Sequence, residues 1–326
     1  MKKNKGFIAL ISGTIILFLI IYGFLIVKIF NKEQYHFENS HSIEIIDKSS
    51  SNLVHPSGII STEKHLILTD TGLNALVVLD LDGNFIKQIG SLGSGPSEFN
   101  FPTGICFFED HYYIIDSGNH RVQILDKSFE YVSEVQINDF TFDNVGYTDI
   151  EVNSEGIILS TRVLVDSEDA QLVYIDNNST IKPLKNNSIG CLTKTQTEEI
   201  LFIYEGKIKE KPDHEQVYFK KAKIYSCFNS KIRKSTSWRI NTSLSYCTFD
   251  ICNDYLVGLR PNGTCIDFYN PEEGYMYTFP IVEYTDIWDK ETYEATFYDM
   301  CNFEDNIYVV NNLGTLIKMT PSGDTK

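Results

Sequence analysis

A spacing of 46 residues constrains this chain more than any other feature it carries. Pro56, Gly58, Asp70, Gly72 and Asp80 each stand 46 residues before an identical residue: Pro102, Gly104, Asp116, Gly118 and Asp126. Five matched positions at one offset mark an internal repeat, and a period in the forties belongs to a propeller blade or a helical solenoid. The runs between the marks decide between the two. Tyr112-Tyr-Ile-Ile115 and Val122-Gln-Ile-Leu125 alternate and are rich in β-branched and aromatic residues, so the repeat is a set of strands.

Using that phase, the chain divides into six blades. Blade one covers residues 55–89, with Asp82-Gly83-Asn84 as its last tight turn, and blade two covers 101–137. Blade three begins near Thr148. Blade four uses 200–204 and 222–228 and contains the lysine-rich stretch 206–223. Blade five runs from 246 to 281 and blade six from 298 to 319. The last blade is incomplete: Met319-Thr-Pro-Ser-Gly323-Asp corresponds to Leu79-Asp-Leu-Asp-Gly83-Asn, so the chain ends where a fourth strand should begin. The alternating run Ser42-Ile-Glu-Ile-Ile-Asp47 belongs to no blade of its own. A propeller closes by pairing the open edge of its last blade with a terminal strand, which assigns 42–47 to blade six.

The best-formed copy of the repeat also resembles a known family. Gly93-Ser-Gly95-Pro-Ser-Glu98-Phe99, then Phe101-Pro-Thr-Gly-Ile105, an apolar strand, Asp116-Ser-Gly-Asn-His-Arg121 and a strand ending in Asp126 look like the NHL repeat of six-bladed propellers. The likeness is close over 94–126 and fair over 55–90. It implies an all-β, six-bladed β-propeller in which Asn119 and His120 tie the turn and Arg121 reaches neighbouring backbone. A fold of this kind does not name an activity.

Ahead of the blades, Lys2, Lys3 and Lys5 precede residues 6–27, which contain no charged residue. At about 1.5 Å per residue that stretch spans a hydrocarbon core of roughly 30 Å. It is longer than the apolar region of a signal peptide, no small-residue cleavage site precedes Lys28, and the first cysteine is Cys106. The expected organisation is a cytoplasmic stub and transmembrane signal anchor over 1–32, a short linker over 33–41, and a propeller over 42–326. The leading lysines place the N-terminus in the cytoplasm and the propeller outside it, in the periplasm or at the cell surface. Beyond residue 32 the remaining 23 Lys and Arg face 44 Asp and Glu, a formal charge of −21. Such a surface repels phosphate backbones, which argues against nucleic acid and against the RNA-binding role known among some NHL propellers.

Seven cysteines form no Cys-x-x-Cys pair. Cys106 and Cys301 each stand ten residues before a turn position, Asp116 or Asn311, which places both in an innermost strand as buried thiols. A disulfide between Cys247 and Cys252 is the alternative kept for the rest.

Function is sought on one face, because loops joining a blade's second and third strands share it with loops joining one blade to the next. The turn positions read Asp70, Asp116, Thr161 with Arg162, Arg260 and Asn311. Ringed round the channel mouth, two arginines among acids would suit a ligand that presents a carboxylate, which guanidinium grips bidentately. The plainer role for Asp70 and Asp116 is to cap their own turns. Between blades, 140–147 and 283–297 mix acids with aromatics, and Trp288 offers large contact area to a protein or glycan. No nucleophile, paired acid and base, or histidine pair with ligand spacing stands out, so no metal site or cofactor is assigned. Calcium alone has candidate oxygens, on Asp80 and Asp82 or on Asp139 and Asp143, without an EF-hand ligand loop. The reading is a membrane-anchored, extracytoplasmic, non-enzymatic scaffold that binds a protein, peptide or glycan, with a metal-dependent lyase or lactonase as the alternative.

Overall fold

Runs of five to seven residues with alternating or continuous apolar character become strands, and Gly, Asp and Asn punctuate them. The computed structural model describes residues 41–46, 48–137, 148–160, 171–186, 189–206, 209–210, 216–217, 223–228, 231–235, 248–252, 255–260, 265–270, 274–280, 297–311 and 313–321. Strand β1 (His41–Ile46) comes first. Blade one follows as β2 (Pro56–Ser61), β3 (His65–Asp70), β4 (Ala75–Asp80) and β5 (Phe85–Ile89), and blade two as β6 (Pro102–Phe108), β7 (His111–Asp116), β8 (Arg121–Asp126) and β9 (Tyr131–Gln136). Blade three is β10 (Asp149–Asn153), β11 (Gly156–Ser160), β12 (Gln171–Asp176) and β13 (Ile181–Asn186). Blade four uses β14 (Ile189–Lys194) and β15 (Ile200–Gly206), then a small hairpin of β16 (Lys209–Glu210) and β17 (Gln216–Val217), then β18 (Lys223–Phe228) and β19 (Lys231–Lys234). Blade five is β20 (Thr248–Cys252), β21 (Tyr255–Leu259), β22 (Cys265–Asn270) and β23 (Gly274–Pro280), and blade six is β24 (Phe297–Phe303), β25 (Asn306–Asn311) and β26 (Leu316–Pro321).

Each blade is an antiparallel four-stranded sheet in chain order, except the last, whose order is β1-β26-β25-β24. There β1 pairs antiparallel with β26, with Ile43 opposite Met319 and Ile45 opposite Ile317. The N-terminal strand thus supplies the outer edge of blade six. Blade four is the main departure from the sequence reading. Its innermost strand is β14, which carries none of the repeat's marker residues.

The core lies between blades rather than within one layer. Leu66, Leu68, Val77 and Leu79 of blade one pack with Tyr308, Val310 and Leu316 of blade six, and the opposite side of blade one, through Ile67, Leu76 and Val78, packs with Ile114 and Leu125 of blade two. Continuous apolar strands such as β4 follow from this, since both faces of a middle strand are covered. The six described cysteines are free thiols, and Cys247 lies outside the described residues. Residues 1–40, where the anchor is expected, also lie outside them, and among the described residues no helix is long and apolar enough to cross a membrane.

Candidate functional site

The six innermost strands, β2, β6, β10, β14, β20 and β24, enclose a cavity of about 260 Å³. Strand pairing aligns one residue from each: Ile60, Cys106, Glu151, Thr193, Asp250 and Cys301. Two residues earlier along their strands, Asp149 and Asp299 also line it. Four carboxylates therefore surround a cavity in which Lys194 is the one cation among the described lining residues.

These acids join blades. Asp149 accepts the Leu192 N–H of blade four at 2.8 Å, and Asp299 accepts the Ile59 N–H of blade one at 3.0 Å and the Thr248 hydroxyl of blade five at 3.2 Å. Asp250 accepts the Asn302 amide of blade six at 2.6 Å and its own neighbour's Ile251 N–H at 2.8 Å. Glu151 is different. Its Oε2 is buried without a hydrogen-bond partner, with the Lys194 ammonium 3.6 Å away. Lys194 is itself held by the Val152 carbonyl at 2.9 Å and stands 5.0 Å from the centre of the Phe108 ring. Desolvation, with Asp149 and Asp250 adding repulsion against the pull of Lys194, raises the Glu151 carboxyl to about 7. Desolvation, with Asp299 nearby, raises Asp250 to about 6 despite the hydrogen bonds it accepts. Burial pushes the Cys106 and Cys301 thiols well above their ordinary range, which keeps them protonated and poorly nucleophilic.

Four of the residues expected at the channel mouth, Asp70, Asp116, Arg260 and Asn311, are among the described ones. Asp70 is fully buried and accepts four backbone N–H groups, from Val54, His55, Gly72 and Leu73, at 2.8 to 3.0 Å. Asp116 is equally buried and accepts the Asn100 N–H, the Asn119 and Gln123 amides and the Arg121 guanidinium at 2.7 to 3.1 Å. Asn311 caps its own turn through the Leu313 and Thr315 N–H groups at 3.0 and 2.8 Å. Arg260 grips Asp267 bidentately at 2.7 and 2.8 Å and reaches Thr278 at 3.2 Å, both within blade five. Arg162 and Trp288 lie outside the described residues, as do Asp139 and Asp143. Asp80 accepts the Asp82 and Asn84 N–H groups and closes its own turn. Among the described residues, no three His, Cys, Asp or Glu side chains are grouped to hold a metal ion.

The cavity acids escaped the sequence reading, although a signal for two of them was present. Asp149 and Asp299 stand 12 residues before Thr161 and Asn311, as Gly58 and Gly104 stand 12 before Asp70 and Asp116.

A family model described as 6-bladed beta-propeller, DUF5128, matches residues 26–250. The chain belongs to this family. Solved structures agree on the fold of this DUF5128 protein. Virginiamycin B lyase from Staphylococcus aureus aligns at 13% identity and a TM-score of 0.54, over 86% of this chain and 99% of that one. Luciferin-regenerating enzyme aligns at 12% and 0.58, over 87% and 96%. A structural genomics protein of unknown function from Bacteroides thetaiotaomicron aligns at 11% and 0.56, over 87% and 76%. At such identities the likeness concerns architecture alone. No curated protein matches the chain.

Proposed function

We propose that this DUF5128 propeller, with NHL-like repeats and an N-terminal membrane anchor, is an extracytoplasmic, non-enzymatic scaffold that binds a protein, peptide or glycan on the face carrying the second-to-third-strand turns and the inter-blade loops. The observation that carries the reading is the use of the cavity acids: Asp149, Asp250 and Asp299 accept hydrogen bonds from other blades. Carboxylates committed to holding the ring closed are poorly placed to bind substrate as well. Recognition then falls to the loops, where the sequence puts Trp288 and where Arg260 stands half-buried. The NHL reading is supported by Asn119 bonding Asp116 and Gly93, and by Arg121 reaching the Gly95 and Glu98 carbonyls at 2.9 Å. The anchor reading is supported by the uncharged stretch 6–27 behind three lysines.

A second reading, a metal-dependent enzyme of lyase or lactonase type, draws on Glu151 and Asp250, whose carboxyls titrate nearer neutrality than ordinary acids. Metal analysis of the purified full chain separates the two. The scaffold reading expects no stoichiometric metal, and one tightly bound divalent ion per chain would overturn it.

A further inference from the structure

One carboxyl of the central cavity stands outside the bonding that occupies the others. Asp149, Asp250 and Asp299 each accept a hydrogen bond from a neighbouring blade. The Oε2 atom of Glu151 is buried and accepts none, and the Lys194 ammonium, 3.6 Å away, is too far for one. Lys194 donates instead to the Val152 carbonyl. A buried carboxylate oxygen without a donor is costly, and in a residue that lines a cavity it points to a ligand that brings one. The wall around it is divided. At the level of Glu151 the strands contribute, in blade order, Ile60, Cys106, Glu151, Thr193, Asp250 and Cys301, and all six line the cavity. Blades three, four and five thus supply a carboxyl, a hydroxyl and a carboxyl in succession. Blades six, one and two supply two thiols and an isoleucine. Burial keeps those thiols protonated, and in that state they act as small apolar groups. Half of the ring is polar and acidic, and half is apolar.

Charge selects the sign of the ligand. Asp149 from the same strand, Asp250 from β20 and Lys194 from β14 act on Glu151, with the neutral Cys106 thiol of β6 beside it. Four carboxyls against one ammonium among the described lining residues favour a cation. A divalent ion is poorly served, because no three His, Cys, Asp or Glu side chains among the described residues are grouped to hold one. An ammonium head asks for less, since one carboxylate and a neutral acceptor answer its donors. A short alkyl tail then matches the apolar half of the ring. We propose that the cavity binds a small primary alkylammonium, with its N–H donors on Glu151 and the Thr193 hydroxyl and its alkyl part against Ile60, Cys106 and Cys301. This goes beyond the scaffold reading, which concerns the outer loops, and does not depend on it.

The test follows n-propylammonium, methylammonium and propionate by ligand-observed NMR as the purified full chain is added in detergent, with calcium as a competitor. Propylammonium should bind about tenfold tighter than methylammonium, which lacks two of its methylene groups, and propionate should not bind. Glu151→Gln keeps the shape of the side chain and removes its charge, so its affinity for propylammonium should fall about tenfold or more. Wild type gives the same answer should that variant fail to fold: its affinity should fall about tenfold from pH 8 to pH 6, as Glu151, which titrates at about 7, takes up its proton. No binding of propylammonium at millimolar concentration, binding unchanged in a folded Glu151→Gln, or methylammonium or propionate bound as tightly would each overturn the proposal. Displacement by micromolar calcium would overturn it in favour of a metal site.

Discussion

Asp116 shows how this fold spends its buried charge. Four donors converge on its two oxygens, and Arg121, only 4% exposed, answers it with Glu134 and two carbonyls. Removing one partner of a buried pair leaves the other uncompensated, so Asp116→Ala should cost about 3–5 kcal/mol in urea unfolding. A loss no larger than that of a surface substitution would contradict the network. Glu151 and Asp250 act in the opposite sense. Their folded carboxyls titrate at about 7 and about 6, against 4.5 and 3.8 ordinarily, so the folded protein holds these protons more tightly than the unfolded chain. The stability this adds is complete below about pH 4 and is lost as pH rises through about 6 to 7. The melting temperature should therefore fall between about pH 5 and pH 8, and Glu151→Gln should shrink that fall. A wild-type melting temperature that rises over this range would contradict the assignment.

At the level of the element, one position of the innermost strand explains why the blades meet as they do. In blades one and two it is Gly58 and Gly104, and a Cβ there would stand 2.7 Å from the Thr103 carbonyl or 2.9 Å from Ile115 Cδ1. In blades three and six the same position is Asp149 or Asp299, which hooks the next blade's N–H instead. Glycine admits the neighbouring backbone, and aspartate bonds to it. Gly58→Ala should cost about 1–3 kcal/mol in urea unfolding, as overpacking does, and an unaltered midpoint would contradict the close approach. Strand β1 is the other decisive element. Beside its pairing with β26, Ile46 packs against Gly83 of blade one, and Tyr308 and Lys318 reach Leu81 and Asp82 across the same seam. Deleting residues 38–48 should abolish cooperative unfolding, and a truncated chain that melts like the full one would sink the closure argument. The blade count and phase were legible because turn residues carry the repeat, and turns need particular residues. The inner strand β14 was not, because Ile189-Gly-Cys-Leu-Thr-Lys194 begins after no Pro-x-Gly and answers to no repeated mark. The cavity acids were hidden for a related reason: one acid in an apolar strand reads as solvent-facing alternation, and only its offset from the turn says otherwise. Asp70 and Asp116 stand on their turns as the sequence indicates, but counting does not reveal that their oxygens are filled by backbone donors from the preceding loop.

For the whole molecule, the balance is between a closed ring and an outward face. A formal charge of −21 beyond residue 32 disfavours polyanionic partners, while the inter-blade carboxylates make the centre a structural hub. On the proposed reading, binding belongs to the loops of one face. Site-specific photocrosslinking in intact cells tests this most directly, with the crosslinker placed in turn at Arg260 and Trp288 and, as the control, at Lys127 on the opposite face. The account predicts a discrete adduct from the first two positions and none from Lys127. Capture at Lys127 equal to that at the other two would contradict it.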